Sequence, residues 1–117
     1  MSWGDDPVRG IIGRMVRGAV DRPIGSRHPL YPDMVYPVNY GFVDGVVAGD
    51  GDCQDAYVLG TDEPIASFEG RVIAVYHRFD DVEDKWVVSL DGSDYPDEKI
   101  LGAIRFQEQY FEGELLR

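Results

Sequence analysis

The sequence predicts a mainly β (α+β) fold: a small closed barrel of about five to seven short antiparallel strands with one C-terminal helix. Short apolar runs rich in Val, Ile and Tyr recur between residues 11 and 90, separated by turns of Gly, Pro and Asp. Pro23, Pro29, Pro32 and Pro37 break any helix in that part of the chain. Helical spacing of apolar residues is clear only near the end, at Ile100, Ile104 and Phe111. A chain of 117 residues suits one domain, 1–117, large enough to bury a core.

The elements follow in order. Residues 1–10 read as a loose start without the charged, apolar pattern of a signal peptide. Ile11–Val20 reads as a strand interrupted by Gly13 and Gly18, and Asp21–Ser26 as a turn. Residues 29–38 are extended loop and edge strand. Tyr40–Val43 and Val46–Ala48 read as two strands joined by a hairpin at Asp44-Gly45. After a turn at Gly49–Asp52 come strand Ala56–Leu59, a polar loop over 60–70 and strand Val72–Tyr76. An acidic turn at Asp80–Asp84 leads into strand Trp86–Leu90. The helix is expected from about Pro96 to Phe111, with Asp97 and Glu98 at its positive end.

Acidic residues number 22 and basic ones 11, a net charge of −11. That balance argues against a nucleic-acid binder, which needs a basic face, and against an electrostatic membrane anchor. The sequence has no run of apolar residues long enough for a transmembrane helix. A lone Cys53 excludes an internal disulfide and suits a reducing compartment, so the cytoplasm is expected. Asp outnumbers Glu by 15 to 7, a bias toward loops and hard-metal sites that a solvated acidic surface would also explain.

Three segments carry candidate chemistry. Asp50-Gly51-Asp52-Cys53-Gln54-Asp55 places three carboxylates within a turn before a strand, a spacing that lets oxygen ligands converge on a hard divalent cation. It is not an EF-hand, because Asp55 and Thr61 occupy the positions reserved for Gly and Glu. Asp80-Asp81-Val82-Glu83-Asp84 is a second acidic cluster, followed by Lys85, which can equally be a soluble hairpin tip. Tyr36-Pro37-Val38-Asn39-Tyr40-Gly41 offers two phenols, either packed in the core or pointing at an oxyanion. His28, His77 and Cys53 are too few and too separated for a closed zinc site, and burial is the expected state of His77.

In this order the three segments resemble the soluble inorganic pyrophosphatase family, the magnesium-dependent type built on one OB-like barrel. Its Tyr-Pro-x-Asn-Tyr-Gly segment is matched by Tyr36 to Gly41, and its Asp-Gly-Asp-x-x-Asp signature by Asp50, Asp52 and Asp55. Asp80, Asp84, Lys85 and Tyr110 match further positions. The resemblance implies hydrolysis of pyrophosphate to two phosphates, with several Mg²⁺ ions, or Mn²⁺ or Co²⁺, as cofactors. It implies Asp50, Asp52, Asp55 and Asp80 as metal ligands, joined by Asp84 or Glu83, with Asp52 also taking a proton from the attacking water. Tyr40, Lys85, Tyr36, Tyr110 and Arg27 or Arg78 would hold phosphate.

The departures are informative. The chain is short for the family, Cys53 and Gln54 stand where Pro and an apolar residue are usual, and Phe111 replaces a phosphate-binding Lys. Asp21 is the implied counterpart of a site Glu, and Arg27 or His28 of a site cation, with Arg78 covering a missing one. A module binding metal and a phosphate ligand without hydrolysis, or a hydrolase of another phosphoanhydride, fits the same motifs. The expected partners are pyrophosphate or a related ligand and further copies of the chain, with neither nucleic acid nor membrane.

Overall fold

The computed structural model describes residues 10–48, 51–79 and 84–117. The strands are β1 (Met15–Arg22), β2 (Asn39–Val47), β3 (Cys53–Leu59), β4 (Ser67–Arg78) and β5 (Asp84–Ser89); helix α1 (Asp97–Glu108) and β6 (Gly113–Leu116) follow. Five strands close into a barrel in the order β1-β2-β3-β5-β4, with β4 returning to β1, and β6 lies beside the far half of β4. β4 can serve three neighbours because it is long: Met15–Ala19 pairs with residues 67–71, β6 pairs with residues 75–78, and the opposite edge carries β5.

Two apolar clusters flank the barrel wall. Val43, Ala56, Val58, Phe68, Val72, Val75, Trp86 and Val88 fill the interior. Tyr40, Tyr57, Leu59, Ala74, Tyr76 and Val87 sit on the outer face, beneath Ile100 and Ile104 of α1. Strands covered on both faces read as continuous apolar runs, and Ala56–Leu59, Val72–Tyr76 and Trp86–Val88 do.

The barrel is mainly β with its helix late, as expected, and the details depart in four places. The pairing of β3 with β5 is parallel, not antiparallel, because β4 is the return strand between them. Asp44-Gly45 makes no hairpin: β2 runs through it as one strand with a register irregularity, and Gly45 takes φ 74°. The turn lies further on, where Gly51 adopts φ 86° and its N–H bonds to the Ala48 carbonyl. The polar loop is shorter than expected, since Ser67–Gly70 is strand, recruited by the edge of β1. The helix ends at Glu108, and the chain doubles back as β6, whose Gly113 lies opposite Arg78. No helix among the described residues is long and apolar enough to cross a membrane.

The first two strands cross closely. A Cβ on Gly41 would lie 1.9 Å from the Ala19 carbonyl oxygen, whereas Gly102 on the helix surface has open space around it. Gly41→Ala should therefore cost about 3 kcal/mol or more in urea unfolding. Gly102→Ala should raise stability by about 0.5–1 kcal/mol. A neutral Gly41→Ala would contradict the strand crossing.

Candidate active site

Parallel pairing sets the site. Ala56 lies opposite Trp86, and Tyr57 opposite Val87, so β3 and β5 begin side by side at one edge of the barrel. The Gln54 side chain ties these two strand starts together, donating to the Asp84 carbonyl oxygen at 2.6 Å. On the outer face Asp55 shares the side of Tyr57, and Lys85 the side of Val87. A cleft of about 1120 Å³ opens there, with Arg22, Tyr40, Asp55, Arg78 and Lys85 among its lining and Tyr110 and Phe111 at one wall.

Each cation has a defined setting. Lys85 Nζ donates to Asp55 Oδ2 at 2.6 Å and to the Tyr40 hydroxyl at 3.0 Å, with its side chain 4% exposed. Burial, and then the charge of Asp55, push the Tyr40 phenol far above its ordinary range, so it stays protonated. Arg78 donates from Nε and Nη2 to the two carboxylate oxygens of Glu108, both at 2.7 Å, and both side chains are almost wholly buried. Burial disfavours the Arg78 charge, but the Glu108 hydrogen bonds and charge outweigh it. Tyr57 donates its hydroxyl to the same carboxylate, and the Phe111 ring covers the guanidinium at 3.7 Å. Arg22 Nη1 donates to the Tyr36 hydroxyl at 2.7 Å, which donates on to Gln107 Oε1 at 3.1 Å.

The structure brings some of the expected residues together. Asp55, Lys85, Tyr40, Arg78 and Tyr110 all line the cleft. Asp52 is exposed on the turn before β3. Asp84 begins β5, with its carboxylate 2.7 Å from His77 Nδ1, and His77 is half-exposed where burial was expected. Asp50, Asp80 and Glu83 lie outside the described residues. Among the described residues no three of Asp, Glu, His and Cys converge as a metal-binding group.

Three further expected residues have other local settings. Arg27 does not line the cleft; it is exposed and donates to the Pro32 carbonyl at 2.9 Å, because a bridge between Arg27 and Val35 closes a small loop that turns it away. Tyr36 is fully buried and reaches the site only through Arg22 and Gln107. Arg78 lines the cleft with its guanidinium paired to Glu108.

Sequence reasoning missed Arg22, Glu108 and Tyr57. Glu108 was detectable: it continues the Ile100–Ile104 stripe at i+4, and an acid on a buried helix face needs a cation. Arg22 was masked by a β-bulge. Val20 pairs with Gly41 and Arg22 with Tyr40, so Asp21 is the extra residue and Arg22 swings to the outer face.

The inorganic pyrophosphatase family model matches residues 19–112. The chain belongs to the inorganic pyrophosphatase family. A Corynebacterium efficiens protein named inorganic pyrophosphatase is 36% identical over 70 residues, which are 56% of this chain and 44% of that one. One from Saccharolobus solfataricus, under the same name, is 41% identical over 64 residues, 52% of this chain and 37% of its own length. The matched part thus spans about two fifths of these curated relatives. The fold agrees with solved structures: an Ehrlichia chaffeensis inorganic pyrophosphatase superposes at TM-score 0.66 and 20% identity, covering 93% of this chain and 90% of that one. One from Neisseria gonorrhoeae gives 0.61 and 25%, covering 84% and 74%.

The buried networks make two effects measurable. Glu108→Gln leaves the Arg78 charge uncompensated and should cost about 3–5 kcal/mol in chemical unfolding, more than Tyr57→Phe, which keeps the ion pair. The second concerns alkaline pH. Burial raises the phenols of Tyr36, Tyr40 and Tyr57 above the ordinary 10.0. Above that pH the unfolded chain has lost these protons while the folded protein keeps them, so unfolding free energy falls as pH rises. Absorbance titration at 295 nm should show part of the phenol signal ionising only together with loss of the fold; full reversible ionisation near pH 10 of a folded protein would refute this.

Proposed function

We propose that this protein hydrolyses inorganic pyrophosphate to two phosphates. The reading is carried by one observation: parallel β3 and β5 bring the ends of two acidic segments to the edge of a cleft containing Lys85, Tyr40 and Arg22. Family membership and the names of the matched relatives support it.

The donor set suits a hard divalent cation, since Asp52 and Asp55 offer only carboxylate oxygens beside the start of β5. Asp52 and Asp55 would hold such ions, Mg²⁺ above all, with Asp50, Asp80 and Asp84 or Glu83 completing the set. When bound, the ions supply charge neutralisation for a polyanion approaching a chain of net charge −11, and they acidify the attacking water. Asp52, exposed to solvent, accepts the water's proton. Lys85 and protonated Tyr40 donate hydrogen bonds to the departing phosphate in a site with little competing water. Tyr110 lines the cleft just past the end of α1. In this reading the protein is one domain, acts in the cytoplasm and assembles from copies of itself, a state that light scattering measures.

Purified protein should release phosphate from pyrophosphate with Mg²⁺, lose the activity in EDTA and regain it when Mg²⁺ is restored. Asp52→Asn should lower turnover by about a hundredfold or more without lowering the melting temperature. No turnover with Mg²⁺, Mn²⁺ or Co²⁺ sinks the proposal. Phe111, which covers the Arg78 guanidinium where the resemblance calls for a cation, favours one competing reading, a module that binds phosphate without hydrolysis. Calorimetric binding of pyrophosphate with no product formed would select it.

A further inference from the structure

We propose that the apolar wall of the cleft is a binding subsite for an aromatic group attached to the phosphate ligand, so that the protein binds nucleoside diphosphates and triphosphates as well as the bare anion. The assignment rests on the reading of the cleft as a phosphate site. A volume of about 1120 Å³ suits a whole drug-sized molecule and far exceeds what a bare diphosphate ion fills. The lining is of two kinds. Lys85, Tyr40 and Asp55 offer charge and hydrogen bonds from the barrel, whereas Leu30, Tyr31 and Val35 of the loop before β2, with Tyr110 and Phe111 just past α1, offer apolar surface. Five of the nine exposed large apolar side chains among the described residues belong to that wall. Leu30 is 77% exposed, Tyr31 62% and Tyr110 69%. Solvent-facing apolar groups gathered in one concave place mark a surface that a ligand covers.

The loop holds its side chains ready. Arg27 and Val35 bridge its base, the His28 N–H donates to the Met34 carbonyl, and the Met34 N–H donates to the Tyr31 carbonyl, both at 2.9 Å. The Leu30 N–H donates to His28 Nδ1 at 3.1 Å, which suits an uncharged imidazole, and the His28 and Tyr31 ring centres lie 5.1 Å apart. Aromatic rings also adjoin the cations. The Phe111 ring centre is 3.7 Å from the Arg78 guanidinium, and His28 stacks 6.3 Å from Tyr36, whose hydroxyl accepts from Arg22. One ligand can therefore set its phosphates among the polar groups and its ring against the wall. Stacking of this kind accepts any planar base, and a wall already in place needs little ordering when the ligand arrives.

The test is calorimetric titration of the Mg²⁺-loaded protein with two uncleavable probes that differ only by the nucleoside: methylenediphosphonate and the α,β-methylene analogue of ADP. The ADP analogue should bind at least about fivefold more tightly. Tyr31→Ala should remove at least about fivefold of its affinity, with methylenediphosphonate binding and pyrophosphate turnover unchanged. Tyr31→Phe, which keeps the ring, should hold the affinity within about twofold. Leu30→Ala, at an equally exposed position, should also weaken the ADP analogue and keeps the test open if Tyr31→Ala folds poorly. Equal affinity of the wild type for both probes overturns the assignment. So does an unchanged ADP-analogue affinity in Tyr31→Ala and Leu30→Ala, or an equal loss for both probes, which would make the loop only a structural support. A lower molecular mass of Tyr31→Ala in light scattering, with ADP-analogue binding unchanged, overturns it in favour of a contact between copies of the chain. A wild type that binds the ADP analogue through Tyr31 and never turns over pyrophosphate supports the assignment and overturns the hydrolytic reading; pyrophosphate turnover without preference for the ADP analogue does the reverse.

Discussion

The parallel ladder between β3 and β5 is the constraint from which the site follows. Antiparallel neighbours would place the start of one strand beside the end of the other, and the acidic segments before β3 and β5 would lie at opposite ends of the barrel. With β4 inserted as the return strand, both strands start at the same edge of the barrel. Residues separated by about 30 positions then share one surface, and Lys85 reaches Asp55 across it.

That surface concentrates charge where solvent is scarce, which is costly unless each ion is hydrogen-bonded. The fold meets this requirement from the helix. Glu108, at the last turn of α1, satisfies Arg78 and Tyr57 together, and Gln107 satisfies Tyr36. Among the described residues no buried side-chain polar atom lacks a partner. β6 holds the arrangement shut: by pairing Gly113 with Arg78 it brings the chain just past the helix back onto the end of β4. The helix is thus both a cover for the outer apolar face and the supplier of counter-charges to it.

Much of this was legible in the sequence. Short apolar runs with Gly/Pro turns announced a barrel, because strands buried on both faces leave no polar alternation. The Ile100–Ile104 spacing announced the helix, and the Tyr and Asp motifs marked Tyr40, Asp55 and Lys85 as site residues that do line one cleft. The features not legible locally share a cause. Asp44-Gly45 carries hairpin chemistry, yet pairing with β3 on both sides of it holds β2 in one piece. Arg27 and Arg78 are equal candidates by composition, but one is turned out by a loop closure and the other is captured by a distant carboxylate.

Local chemistry in the chain determined most of the strands, the turns at glycine and proline, and the helix, and which side chains could bind a hard cation or a phosphate. These preferences act within a few residues and need no partner. Only the tertiary structure decided that β3 and β5 run parallel, that Asp21 bulges and turns Arg22 outward, and that Glu108 neutralises Arg78. Those outcomes depend on pairing register and on charges meeting across 30 or more positions, and no local preference encodes them.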